Sequence, residues 1–318
     1  VSDRLDGERI AILGFGNQGE AQALNLRDSG LDVVVGARPE GAGAARARAH
    51  GFDTRDLRDA ASSARVLAIL LPDEVVPSRW PELRAAMEQE ASLVFAHGYN
   101  LHYGALDLPG GDVVLVSPTG PGTALRAVFQ RGEGLPAYLA VHRDAAGRAW
   151  ELAESYAAGL GCTRAKTLRT TVREETEVDL FGEQAVLCGG MNALVTAAFD
   201  TLVARGYAPE MAYLECVHQL KFLADLLHAR GIAGLRRRIS GTALFGDLTR
   251  GPRVIGAEAR AELARMLDEI RDGSFAREWS DEVAGGRPRV LRGLADSDEA
   301  PIEKARRRAV GVEAGGSP

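Results

Sequence analysis

The chain has few cysteines, no excess of positive charge and no long apolar run, and each shortage closes off a class of protein. Only three cysteines occur in 318 residues. Cys162, Cys188 and Cys216 lie far apart and form no CxxC pair. That spacing supplies neither a disulfide framework nor a metal-binding set, and an odd count fits a reducing compartment. Lys and Arg number 38 against 44 Asp and Glu, a formal net charge of −6, which argues against a nucleic-acid-binding surface. The basic run Arg236–Arg237–Arg238 is short, sits among mixed charges, and reads as a solvated face or a local anion contact. The longest uninterrupted apolar runs, such as VLAILL, fall far below a membrane span. The polar opening VSDRLDGER does not read as a signal peptide. The expectation is a cytoplasmic protein that meets neither nucleic acid nor membrane.

What the chain does have is a change of pattern near its middle. In the first half, short apolar runs alternate with helical stretches: RIAIL (9–13), LDVVVG (31–36), VLAILL (66–71), SLVFAH (92–97), VVLVS (113–117) and AYLAVH (137–142). Near-continuous hydrophobicity marks strands buried on both faces, as in a parallel sheet. Helical stretches such as 18–29 and 144–160 lie between some of them, which is the doubly wound α/β pattern. From about residue 172 long helical patterns ending at glycine take over, and no strong strand follows. The predicted organisation is a Rossmann-type domain over 1–171, an all-helical domain over 172–307 and a polar tail over 308–318.

The first strand runs into ILGFGNQGEAQALNLRDSG, which puts Gly14, Gly16 and Gly19 at a strand-to-helix turn. Gly14 allows the tight turn, Gly16 lets backbone approach a pyrophosphate, and Gly19 lets helix and strand pack closely. Phe15 and Gln18 belong to the same cofactor-binding turn. An acid ending the second strand would hold a ribose 2′-hydroxyl, but VVVGARPEG has Arg38 there. A guanidinium suits a 2′-phosphate and so NADPH. Glu40 would repel that phosphate, and a plain surface arginine is the competing reading.

In the second half, TEVDLFGEQAVLCGG places Asp179 and Glu183 four apart on one helix face, and AYLECVHQLKFL repeats that spacing with Glu215 and Gln219. Oxygen ligands from two helices can hold a hard cation such as Mg²⁺. A lone acidic pair is more often a solvated face, but the apolar neighbours Leu180, Phe181, Val186 and Leu187 speak against simple exposure here.

Taken together, GFGNQGEAQALNLRDSG, LLPDEV, HGYNLHY, DLFGEQAVLCGG, ISGTALFGD and DGSFAREW resemble the ketol-acid reductoisomerase family in its short form, in register along nearly the whole chain. The resemblance implies an NADPH-binding Rossmann domain and a helical domain that interlocks with a partner's in a homodimer or higher homo-oligomer with shared active sites. It also implies two Mg²⁺ ions and reduction coupled to an alkyl shift on acetolactate-type substrates. By position it makes Asp179 a ligand bridging the metals, Glu183 a ligand to one of them, and Glu215 a ligand to the second, supplied across the subunit boundary. Ser240 would contact the substrate carboxylate, while His97 and Asp73 would lie near the nicotinamide.

The chain departs from this pattern in its chemistry. In SPTGPGTALRAVF the family's lysine is Thr119 and its histidine Thr123; a metal-binding glutamate is Gln219; and two histidines after the glycine turn are Glu20 and Gln22. The loop therefore keeps a catalytic place with altered chemistry. One cation and one anion are lost together, and one Mg²⁺ or none is the expectation. Three readings stay open. One is an NADPH-dependent reductase that transfers hydride to a small C=N (imine) or C=O (2-keto acid) substrate without isomerisation. The others are an authentic reductoisomerase of branched-chain amino-acid biosynthesis and an NADPH-binding protein with little catalysis.

Overall fold

The structure, a computed structural model, describes residues 4–104 and 106–311. Eight strands form one sheet: β1 (Arg9–Leu13), β2 (Asp32–Gly36), β3 (Asp53–Arg55), β4 (Val66–Ile69), β5 (Ser92–Phe95), β6 (Val113–Pro118), β7 (Ala137–Arg143) and β8 (Thr167–Arg169), in the order β3-β2-β1-β4-β5-β6-β7-β8. Alternate side chains along β1 enter different cores. Ile10 and Ile12 join one buried cluster, and Ala11 and Leu13 join the cluster on the opposite face. This two-sided burial is why the strands read as unbroken apolar runs.

One pair departs from the expected parallel sheet: β6 and β7 are antiparallel. A continuous apolar run reports burial on both faces and carries no information about direction, so the reversal leaves no trace in the sequence pattern. Helix α1 (Asn17–Asp28) follows β1, and helix α2 (Ala42–Ala49) follows β2. The buried Cys162, whose thiol burial pushes up to about 12, packs in the first core as an inert apolar group.

The chain divides into two compact units after Val178. In the second unit the described elements are helical, and they include two π-helical turns, Glu183–Leu187 and Leu214–His218. Its buried cluster is small, built on Phe199, Ala212, Tyr213 and Ala305. Many large apolar side chains there are exposed instead, among them Leu187 at 63% and Phe245 at 63%. The helical stretch Val172–Ala204 is long and apolar enough, by length and composition alone, to cross a membrane, although no single apolar run in it is long. Of the polar tail expected at 308–318, residues 308–310 close the helix Pro301–Val310, and residues 312–318 lie outside the described residues.

Candidate active site

The glycine turn lies where the strand order reverses, with β1 flanked by β2 and β4. A crevice opens there because the crossovers leave to opposite sides. Gly14 has φ +106°, and a Cβ on it would sit 2.6 Å from the Leu70 carbonyl oxygen, so both conformation and space require glycine. A Cβ on Gly19 would collide with the Gly14 carbonyl. Gly16 is different: a Cβ there meets nothing within 4 Å. It opens α1 with no side-chain cap, which leaves first-turn amides to an anion. The turn borders a cleft of about 810 Å³, whose walls also include Arg38, Asp73 and His97. The residues present therefore fit a dinucleotide.

Polar contacts order the inner end of this cleft. His97 Nδ1 lies 3.4 Å from Glu175 Oε1, and the Gly98 amide donates to Glu175 Oε2 at 3.0 Å. Glu175 is buried, at 2% exposure, so its carboxylate fixes the histidine ring against the strand end. Asn100 Nδ2 donates to Asp73 Oδ1 at 2.9 Å. Burial raises the Asp73 carboxyl above its usual range, while His97 and the Asn100 hydrogen bond pull it down. The sequence reading missed Glu175. The signal was the acid one helical turn before Asp179, which extends the same i,i+4 series.

The Pro–Gly loop is pinned to the glycine turn. Gln18 Nε2 donates to the Gly120 carbonyl at 2.9 Å, and the Gly122 amide donates to Asn17 Oδ1. The Gln18 amide, expected at the cofactor, donates to the loop while the residue lines the cleft. Behind it, Gln22 Nε2 donates to Gln18 Oε1 at 3.1 Å, and the Tyr156 hydroxyl donates to Gln22 Oε1 at 2.9 Å. The backbone amide and the hydroxyl of Thr119 both donate to the Pro136 carbonyl, each at 2.9 Å. Where the family pattern has an amine, this side chain is tied into its own loop. Thr123 is exposed.

In the second unit the structure joins Glu215 to Gln219: Gln219 Nε2 donates to Glu215 Oε2 at 2.7 Å. Glu183 opens one π-turn and Glu215 lies within the other, and such turns re-aim side chains at functional sites. Glu183 and Glu215 are exposed, as are their neighbours Val186 and Leu187. Val186 and Leu187 do not shield these acids within one chain, because they are themselves uncovered, whereas Leu180 is buried. Among the described residues, Asp179, Glu183 and Glu215 do not converge on a common point in a single chain. Ser240 caps the helix Gly241–Val254 by accepting from the Ala243 amide at 3.2 Å. Asp179 and Glu183 can offer carboxylate oxygens to one Mg²⁺. At the Glu215–Gln219 pair the amide donates to the carboxylate, and in place of a carboxylate it offers a cation at most a neutral carbonyl oxygen.

A glycine turn at the switch point of a doubly wound sheet, facing a cleft with an ordered histidine, fits the class of dinucleotide-binding enzymes. Residues 4–166 match the acetohydroxy acid isomeroreductase NADPH-binding domain, and residues 172–310 match the ketol-acid reductoisomerase C-terminal domain. An NADH-preferring ketol-acid reductoisomerase from an uncultured archean is similar at 35% identity, with a TM-score of 0.95, over 98% of this chain and 96% of that one. The chain belongs to the ketol-acid reductoisomerase family and is an NAD(P)H-dependent oxidoreductase. More distant likenesses show the fold alone. A semialdehyde dehydrogenase NAD-binding protein from Cupriavidus necator is 19% identical, with a TM-score of 0.63 over 83% of this chain and 99% of that one. A pyrroline-5-carboxylate reductase from Coxiella burnetii is 14% identical, with a TM-score of 0.57 over 83% and 96%.

Proposed function

We propose that this protein is a reductase that has kept the family's hydride transfer and lost its alkyl shift. The observation that carries this reading is the hydrogen bond from Gln219 to Glu215. A glutamate at 219 would bring two carboxylates to contact distance and call for a cation between them. At an effective dielectric of about 20, a full charge at that range is worth several kcal/mol before desolvation. The amide removes the repulsion and with it the pull on a second Mg²⁺. Thr119, its hydroxyl committed to Pro136, supplies no cation either. An alkyl shift between adjacent carbons needs both adjoining oxygens polarised; hydride transfer needs one electrophilic carbon.

The substrate is a small C=N or C=O compound. The remaining acids Asp179, Glu183 and Glu215 favour a protonated imine, which brings its own positive charge, while a 2-keto acid would lean on one Mg²⁺ at Asp179 and Glu183. The reduced nicotinamide supplies the hydride when bound. The chain holds it through the glycine-turn amides, with His97, Glu175 and Asp73 ordering the cleft where the ring is placed. The test is NADPH oxidation with Mg²⁺ and, in turn, acetolactate, a cyclic imine carboxylate and a 2-keto acid. Turnover of acetolactate to the rearranged diol overturns the reading. It would favour the second one, an authentic reductoisomerase, for which the retention of Asp179, Glu183, Glu215 and Ser240 speaks.

Arg38 supports a preference for NADPH. It is exposed at the cleft, and among the described residues its guanidinium has no ion-pair partner. Arg38→Ala is expected to reduce the ratio of NADPH to NADH affinity about tenfold, on the scale of one lost charge-assisted phosphate contact. Equal affinities in the parent would rule the preference out.

The exposed apolar helices of the second unit support a homodimer or higher homo-oligomer. Large apolar side chains such as Leu187, Phe222, Phe245 and Leu248 are each more than half exposed, an amount of apolar surface that calls for a partner. The acids Asp179 and Glu183 on the Val172–Ala204 stretch argue for a protein partner over lipid. A second copy would also supply the carboxylates that one chain leaves apart. Sedimentation is expected to show no monomer at micromolar concentration, and an active monomer at high dilution would refute the shared site.

A further inference from the structure

Arg46, on α2, is a second guanidinium lining the cofactor cleft. Unlike Arg38, it is held. Its Nε donates to Glu20 Oε2 at 2.9 Å, and its Nη2 donates to the Phe15 carbonyl at 2.8 Å. The other Glu20 oxygen lies 3.0 Å from His50 Nε2 at the end of α2. Glu20 stands in the first turn of α1, directly after the glycine turn. One carboxylate thus reaches from the glycine turn to the helix that follows β2, and it offsets a cation that lines the cleft.

We propose that Glu20 sets the cofactor preference by neutralising Arg46, so that among the described cleft-lining guanidiniums Arg38 is the one without a carboxylate partner to meet a 2′-phosphate. The inference rests on the NADPH reading for the identity of the anion, and it assigns a role to a departure from the family pattern that the hydride chemistry does not use. A 2′-phosphate carries close to two negative charges, so an unneutralised second guanidinium would strengthen its hold. NADPH and NADH share the pyrophosphate, so the repulsion of Glu20 on that group weakens both alike. The ratio of the two affinities therefore isolates the effect at the 2′-position. The Arg46 contact to the Phe15 carbonyl also braces the glycine turn, and its loss would lower both affinities together without moving the ratio.

The test is titration of NADPH and NADH into the parent, E20Q, R46A and the double variant. Glutamine keeps an oxygen acceptor for Arg46, so E20Q changes charge and preserves the contact. E20Q is expected to raise the NADPH-to-NADH affinity ratio about fivefold, the scale of an exposed ion pair. R46A is expected to lower both affinities and leave the ratio within about twofold, and E20Q in the R46A background to give no rise. An unchanged ratio in E20Q overturns the proposal. So does a rise of the same size without Arg46, which would mean that Glu20 acts on the cofactor directly. A parent without NADPH preference would count against the NADPH reading alone, because the E20Q shift and its dependence on Arg46 would still be measured.

Discussion

Gly16→Val is expected to weaken NADPH binding by about 100-fold or more, because a side chain would occupy the approach of backbone to pyrophosphate. The same variant should keep its melting temperature within about 2 °C of the parent. The asymmetry follows from what surrounds the position. Gly16 sits at φ −90° and ψ −156°, extended backbone open to any residue. No protein atom lies within 4 Å of a Cβ built there. The fold therefore makes no demand for glycine, and the demand must come from what enters the cleft. Gly14 is the control. With φ +106° and the Leu70 carbonyl oxygen 2.6 Å from a Cβ, Gly14→Ala should lower the melting temperature as well as binding. Calorimetric titration and thermal denaturation of the two variants decide it. NADPH binding at full strength by Gly16→Val would show that the cofactor does not cross this turn.

The contrast between those two glycines shows how much the sequence carries. The glycine turn, the flanking strands and the switch to helices after residue 171 were legible because each follows from a local rule: burial on both faces, a φ only glycine adopts, a 3.6-residue period. β3 and β8 were not legible. They are three residues each, DTR and TLR, and edge strands that short carry no apolar run. The direction of β7 escaped for the reason that pattern reports burial and not polarity. At the site, His97 and Asp73 could be named from sequence, but their partners Glu175 and Asn100 could not. The i,i+4 series that includes Glu175 marks it as an acid on the Asp179 face, but that it orients a histidine is defined by a contact across 78 residues, which spacing does not encode. The Glu20–Arg46 pair is likewise a tertiary fact. The carboxylates of the second unit show the opposite limit: Asp179, Glu183 and Glu215 were legible as residues, but in a single chain they do not converge on a common point.

The Gln219 amide leads to the strongest expected gain of function. Thr119→Lys combined with Gln219→Glu is expected to give measurable rearrangement of acetolactate from a parent expected to show none, with Mg²⁺ affinity raised at least tenfold. The glutamate replaces the donor now satisfying Glu215 at 2.7 Å with a second carboxylate, and paired carboxylates at that range bind a divalent ion or repel one another. The lysine supplies a cation in the loop, provided its amine leaves the Pro136 carbonyl that holds the Thr119 hydroxyl at 2.9 Å. The backbone amide of residue 119 keeps its own bond to Pro136, so the loop retains its anchor while the longer side chain extends. Neither single variant should suffice. Gln219→Glu alone adds an anion without the loop cation, and Thr119→Lys alone adds a cation beside a site still short of a ligand; residues in one network are not additive. Mg²⁺ titration and NADPH oxidation with acetolactate, across parent, singles and double, measure both halves. Acetolactate turnover already present in the parent would end the argument that isomerisation was lost. A double variant that binds two ions and still fails to rearrange the substrate would move the cause to Thr123 and to Gln22, whose amide, fixed between Tyr156 and Gln18, stands where the family pattern has a histidine.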